Sequence, residues 1–207
     1  MSDKKRPYRK RVRAEHEELT RKRIVESAVA LHGTLGPSRT TLSAIAEHAG
    51  VQRSTLYRHF HDEASVFGAC SELWTLRNPL PDLAAWAAIG DPDERLRVAL
   101  GELYAFYGRN ELMLSNLHRD AALMPAVERQ LSAFGGYVEA ATESLMNRRT
   151  ARGRARARAR AAVAHALSFS TWRSLVGEQG LGATEAAELM LRLVDAAATP
   201  AALGRSH

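Results

Sequence analysis

From about Glu15 to His32 the apolar residues Leu19, Ile24, Val25, Ala28, Val29 and Leu31 fall on one broad face, the spacing of an amphipathic helix. Gly33 is the expected C-cap, and Gly36-Pro37-Ser38 reads as a loop. Thr41 is a suitable N-cap for a second helix, whose Leu42, Ile45, Ala46 and Ala49 recur at i, i+3, i+4 and i+7. Gly50 can take the positive φ of a sharp turn. The pattern then predicts a third short helix from Gln52 to about Phe60, with Leu56 and Phe60 one turn apart on its inner face. Asp62 is placed to cap a fourth, which runs to about Arg77 and carries Val66, Cys70, Leu73 and Trp74.

The remainder also has helical periodicity. Asp91 with Pro92 is an N-cap followed by proline at the first helical position, and Leu96, Leu100, Leu103 and Tyr107 continue the pattern. Residues 125–147 and 184–198 are similar, the latter through Ala186, Leu189, Met190, Leu193 and Ala197. Between Ala161 and Val176 apolar residues occupy nearly every face, as in a helix covered on all sides by its own core and a second subunit. The β-branched alternation of strands does not occur, so the expected class is all-α.

Charge changes this picture. Residues 1–61 carry 13 Lys and Arg against 6 Asp and Glu, and residues 62–207 carry 16 against 17, so the net +6 belongs to the first third. A basic module on a near-neutral body points to a polyanionic partner for that module alone. The expected division is a flexible basic arm at 1–14, a three-helix helix-turn-helix DNA-binding domain at 15–61 and a helical ligand-binding and dimerisation domain at 62–207. The one cysteine, Cys70, suits a reducing compartment. No apolar run has the length of a signal peptide core or a membrane span, so no membrane partner and a cytoplasmic location are expected.

The chemistry concentrates in Thr41–Phe60, TLSAIAEHAGVQRSTLYRHF. With Leu56 and Phe60 inward, the outer face of the third helix presents Gln52, Arg53, Thr55, Tyr57, Arg58 and His59, none of them a carboxylate, as suits approach to a phosphate-lined groove. Arg53 can pair bidentately with guanine and Gln52 with adenine, while Thr55, Tyr57 and His59 can reach phosphate oxygens. Thr41 and Ser43 can add contacts at the positive end of the second helix.

Thr41, Ala49-Gly50-Val51 and Leu56-Tyr57-Arg58-His59-Phe60, in that order and spacing, resemble the recognition region of the TetR family of transcriptional regulators, over about residues 17–74. The resemblance implies a homodimer that binds near-palindromic operator DNA. It also implies a small-molecule effector pocket between the helices of the second domain, and a fourth helix that relays effector binding to the DNA. Dimer pairing is expected through helices at about 155–178 and 184–198. Glu63 departs from the family pattern, which usually has a phosphate-contacting lysine there. The arm residues Lys4, Lys5, Arg6, Arg9, Lys10, Arg11 and Arg13 are the expected substitute.

Candidate pocket residues are Trp86, Tyr104, Tyr107, His118, Phe134, Tyr137, His165, Phe169 and Trp172, which imply an apolar or aromatic effector. The arginine-rich run Arg152–Arg160 would ring a helix and form no stripe, so biased composition explains it better than nucleic-acid binding. His118 with Asp120, or His165, lacks the paired spacing of a metal site, and no cofactor is implied. An α-helical enzyme or a sequence-nonspecific DNA-binding protein are the alternatives. The chain lacks a phosphate loop, a nucleophile elbow, a metal motif and an acid/base pair, which weighs against an enzyme, and the long near-neutral C-terminal part weighs against a nonspecific binder.

Overall fold

The computed structural model describes the backbone of residues 5–199 and the side chains of residues 12–199. Among these residues all regular structure is helical: α1 (Lys5–Thr34), α2 (Leu42–His48), α3 (Arg53–His59), α4 (Glu63–Arg77), α5 (Leu83–Ala87), α6 (Pro92–Arg109), α7 (Glu111–Asp120), α8 (Pro125–Met146), α9 (Gly153–Ala166), α10 (Phe169–Trp172) and α11 (Ala183–Ala198). No described helix is long and apolar enough to cross a membrane. The residues form two compact units, one running to Pro79 and including Leu112–Leu131, the other comprising Leu80–Glu111 and Ser132 onward.

In the first unit, α1 packs against α2, α3 and α4. Ile24, Val25 and Ala28 of α1 meet Leu42, Ile45 and Ala46 of α2, Leu56 and Phe60 around α3, and Val66, Phe67 and Cys70 of α4. Leu117 and Val127 complete this core from outside the N-terminal segment. Burying two or three such side chains per helix, at about 1.5–3 kcal/mol each, is what holds the short α2 and α3 in place.

Three local codes operate as expected. The Thr41 hydroxyl accepts from the Ala44 N–H at 3.1 Å. Gly50 sits at φ 63°, and the amide of Val51 returns to the Ala46 carbonyl at 2.9 Å. Asp62 closes a capping box with Ser65, and the hydrogen bonds from Ser65 hold its carboxyl below the usual range.

The start and end of α1 differ from expectation. The helix begins at Lys5, so the backbone of residues 5–14 is helical where a flexible arm is expected. It continues through Gly33 to Thr34, and the positive φ that ends the segment is at Gly36, 96°. The reason for the later end is tertiary. Asn116 of α7 donates to the carbonyls of His32 and Gly33 at 3.1 and 2.9 Å, satisfying the orphan acceptors at the end of α1. Arg119 donates to Leu35 O at 2.9 Å, and the buried carboxylate of Asp120 accepts from the Ser38 amide at 2.9 Å. Gly36 holds a φ of 96°, which L side chains rarely adopt, and a Cβ there would lie 2.6 Å from the buried Asp120 carboxylate, so this turn requires glycine.

The second unit is built on α6, α8, α9 and α11, with α11 packed on both α9 and α6. Asp91 caps α6 through the amides of Asp93 and Glu94. Arg95, 1% exposed, donates to the carbonyls of Ile89, Gly90, Ser144 and Asn147 and so caps the end of α8 from inside the core. The expected continuous helix across Ala161–Val176 is broken. The carbonyls of Ala166 and Leu167 accept the hydroxyls of Tyr104 and Tyr107, and Ser168 then caps α10 by accepting from the Thr171 amide. Residues Arg173–Glu178 continue as a π-helical turn.

Burial alone would raise the Asp120 carboxyl, but bonds from Arg119 and Ser38 offset that and hold it below the usual carboxylate range. Its contribution is therefore complete above the unfolded value of about 4 and fades as pH falls through the lower folded value. Asp120→Ala should cost about 2–4 kcal/mol at pH 7, because the Ser38 amide and the Arg119 guanidinium lose the buried carboxylate that ties them together. Urea unfolding at pH 7 and in acid checks this, and the variant should lose less stability on acidification than the parent. A Cβ at Gly50 would meet no atom within 4 Å, so only the backbone resists substitution there. Gly50→Ala should then cost about 1–2 kcal/mol and Gly50→Asn less, measured in the same way.

Candidate nucleic-acid interface

α2, the turn at Gly50 and α3 form a helix-turn-helix whose orientation is fixed from below. Leu56 is fully buried and Phe60 nearly so, which turns the opposite side of α3 to solvent. Gln52, Arg53, Tyr57 and Arg58 are exposed there, with Thr55 half-buried. Gln52 is the N-cap residue but makes no side-chain capping bond. Thr41 and Ser43 are exposed at the start of α2, although the Thr41 hydroxyl is engaged in its cap.

Two features of this face need three-dimensional structure to see. The Arg53 guanidinium donates to the Tyr57 hydroxyl at 3.1 Å and lies over its ring, 5.4 Å from the centroid. The cation is thus held in one place before any partner arrives. Their i, i+4 spacing is the one signal of this in the sequence. His59 is only half-exposed, with its Nε2 buried and unpartnered, so less of it faces outward than the sequence suggests. At the same end of α3, Arg21 of α1 lies 5.0 Å from the Phe60 ring centroid; no periodicity in the sequence points to that contact.

Glu63 opens α4 exposed to solvent, an acid at the positive end of the helix dipole. Of the proposed substitutes for a cation there, Arg13 is exposed and paired with Glu17 at 3.0 Å. Lys4 and the side chains of Lys5, Arg6, Arg9, Lys10 and Arg11 lie outside the described residues.

The second set of candidates is partly assembled. Tyr107 sits at the centre of an aromatic cluster, with ring centroids of Tyr104, Phe134, Phe169 and Trp172 between 5.4 and 6.3 Å away. Phe134 stacks on Tyr137, which meets Trp86 edge-on. Most polar handles are already engaged: Tyr104 and Tyr107 on backbone carbonyls, Tyr137 on Pro81 O, and the Trp86 indole on Glu102. The Trp172 indole N–H is buried without a partner. His165 is exposed beside Thr171, and His118 is exposed in the first unit, outside this cluster. Open grooves of about 660 and 670 Å³ are lined by other residues, the first by Phe67, Ser71 and Arg129, the second by Arg148, Arg149 and Asp195. In the arginine run, Arg160 pairs with Glu139 and Glu143, and Arg158 donates to the Ala197 and Thr199 carbonyls at the end of α11.

Residues 24–70 match the sequence profile of the family described as bacterial regulatory proteins, tetR family. The "Probable acrEF/envCD operon repressor" of Escherichia coli (strain K12) is 34% identical over 85 residues, which are 39% of this chain and 37% of that protein. The HTH-type transcriptional regulator AcrR of Shigella flexneri is 42% identical over 57 residues, 28% of this chain and 25% of that one. The matched region thus spans little more than a third of the length of these curated relatives or less. Among solved structures, a TetR-like transcriptional regulator from Rhodococcus sp. RHA1 superposes with a TM-score of 0.63 at 23% identity, covering 84% of this chain and 93% of its own. That likeness extends the fold beyond the helix-turn-helix. The sequence match and the helix-turn-helix geometry together show that residues 24–70 form a DNA-binding module similar to that of bacterial regulatory proteins of the tetR family.

Proposed function

We propose that the chain is a ligand-responsive transcriptional repressor that binds near-palindromic operator DNA as a homodimer and is released by a small apolar or aromatic effector. The observation that carries the DNA-binding reading is the outer face of α3, free of carboxylates and with Arg53 already positioned over Tyr57. Arg53 and Gln52 read base edges; Thr55, Tyr57, Arg58 and the start of α2 at Thr41 and Ser43 hold the backbone. His59 serves mainly to seat the end of the helix. The names of the matched relatives, an operon repressor and a transcriptional regulator, agree with this reading.

The dimer forms through α9 and α11, and the break at Ser168 limits the first of these to residues 153–166. Leu189 and Leu193, one turn apart on α11, are large apolar residues left 36% and 42% exposed. The effector site is the Tyr107 cluster, and the unsatisfied Trp172 N–H favours an effector carrying an acceptor atom beside its apolar body. Binding lowers DNA affinity only if the effector prefers the conformation that does not hold DNA. The protein acts in the cytoplasm, without catalysis and without a cofactor for this activity.

Selection of bound duplexes from a random library tests the reading. A palindrome with half-sites about one helical turn apart is the expected result. Absence of sequence preference would favour a nonspecific binder, and turnover of an effector would favour an enzyme. Arg53→Ala should relax preference at one position of each half-site, at about 1–3 kcal/mol. Tyr57→Phe should weaken all sequences, and because Arg53 leans on the phenol, the double variant should lose less than the two single losses combined. Leu193→Glu should shift the protein to monomer in analytical ultracentrifugation while leaving its helical content intact; an unshifted dimer would move the interface off α11.

A further inference from the structure

We propose that the first unit holds a buried site for a soft monovalent metal ion, Cu(I) by ligand chemistry, formed by Cys70, His32 and Met113. Each comes from a different helix: His32 from the last turn of α1, Cys70 from the middle of α4 and Met113 from the first turn of α7. His32 Nδ1 lies 3.1 Å from Cys70 Sγ, and both residues are about 95% buried. All three line one cavity of about 20 Å³, walled otherwise by Phe67, Ser71, Trp74, Leu117 and Gln130. That is room for a single small atom. The Met113 methyl lies against Gly33, next to His32, since a Cβ at Gly33 would meet it at 3.7 Å.

The imidazole sits in an apolar core with a thiol as the polar partner of its Nδ1, and that thiol lies 3.2 Å from the Phe67 carbonyl. A thiol is a weak hydrogen-bonding group and returns little of the cost of burying the ring. As a ligand set the same atoms are well matched. Imidazole, thiolate and thioether are the donors that suit Cu(I), and no carboxylate, the donor that magnesium or calcium sites draw on, lines the cavity. The His32 ring is buried with its Nδ1 toward Cys70 Sγ, both on the wall of the cavity.

Charge balance selects the valence. No Asp, Glu, Lys or Arg lines the cavity, so the Cys70 thiolate is the one anion there to balance a metal ion. Binding exchanges the thiol proton for the cation: the S–H bond breaks, an S–metal bond forms, and one proton leaves to solvent with no change of oxidation state. One thiolate neutralises one positive charge, so a monovalent ion leaves the core neutral. A divalent ion would leave an uncompensated charge against Phe67 and Leu117. Among the described residues no three His, Cys, Asp or Glu side chains gather as a metal site, so the third donor assigned is the thioether of Met113, which lines the same cavity.

The test uses the full chain, reduced and free of oxygen, with Cu(I) supplied from a chromophoric chelator and Ag(I) as a redox-inert probe. Wild type should take up about one ion per chain, and Cys70→Ala, His32→Phe and Met113→Leu should each weaken binding roughly tenfold or more. Ag(I) should raise the thermal midpoint of wild type and leave that of Cys70→Ala unmoved. Failure of wild type to withdraw Cu(I) from the chelator, or stoichiometry unchanged in Cys70→Ala, overturns the proposal. Should Cys70→Ala or His32→Phe not fold, Met113→Leu, nearly the same in volume, decides: unaltered affinity overturns the three-ligand site. No DNA is needed for these readouts, so they stand apart from the operator test.

Discussion

The N-terminal unit depends on how the C-terminal end of α1 is closed. A helix ends with carbonyls that have no partner, and here those carbonyls sit where the chain must turn sharply toward α2. Asn116, Arg119 and Asp120, on one face of α7, supply the missing groups to His32, Gly33, Leu35 and Ser38. This fixes the approach of the chain to Thr41, whose cap starts α2. The turn at Gly50 then directs α3, and Leu56 and Phe60 fix its rotation. The outward face of α3 is therefore set by side chains some eighty residues beyond the end of α1 as well as by the helix-turn-helix itself.

Rotation and rigidity together decide what that face can do. A flexible arginine loses rotamer entropy when it engages a base. Arg53, held by the Tyr57 hydroxyl and ring, has already lost part of that freedom. The phenol can then serve two ends, orienting the arginine and presenting its own oxygen. Arg21 above Phe60 adds a cation at the far end of α3. A cation at Glu63 is thus not the sole means of placing positive charge near that end of the helix.

The sequence is legible where the code is local. Thr41, Gly50, Asp62 and Asp91 each act within four residues, through a cap or a dihedral, and each is where the pattern places it. The burial of Leu56 and Phe60 follows from helical periodicity alone. Long-range polar bonds are not legible. Gly33 reads as a helix end because glycine favours one, but Asn116 satisfies the carbonyls there and α1 runs on to Thr34. Arg95 has the composition of a surface residue of α6 and is buried among four carbonyls. Ser168 gives no strong signal within an apolar run, and the hydroxyls of Tyr104 and Tyr107 decide the break. The division into units is equally hidden, since Leu112–Leu131 pack with the N-terminal helices.

The same polar accounting bears on the second unit. Its aromatic side chains pack at ordinary contact distances, and the hydroxyls of Tyr104 and Tyr107 are committed to the end of α9. A guest among them must separate rings that already bury one another, which costs contact energy before it returns any. If the cluster is the effector site proposed above, it opens by replacing those contacts and by satisfying a group the packed state leaves unmet. Trp172 offers such a group, a buried N–H without an acceptor on the rim of Tyr107. An apolar body alone would exchange like for like. An acceptor atom reaching Trp172 would add a hydrogen bond that the closed cluster lacks, and that difference between the two states is what a ligand needs in order to shift a conformational equilibrium.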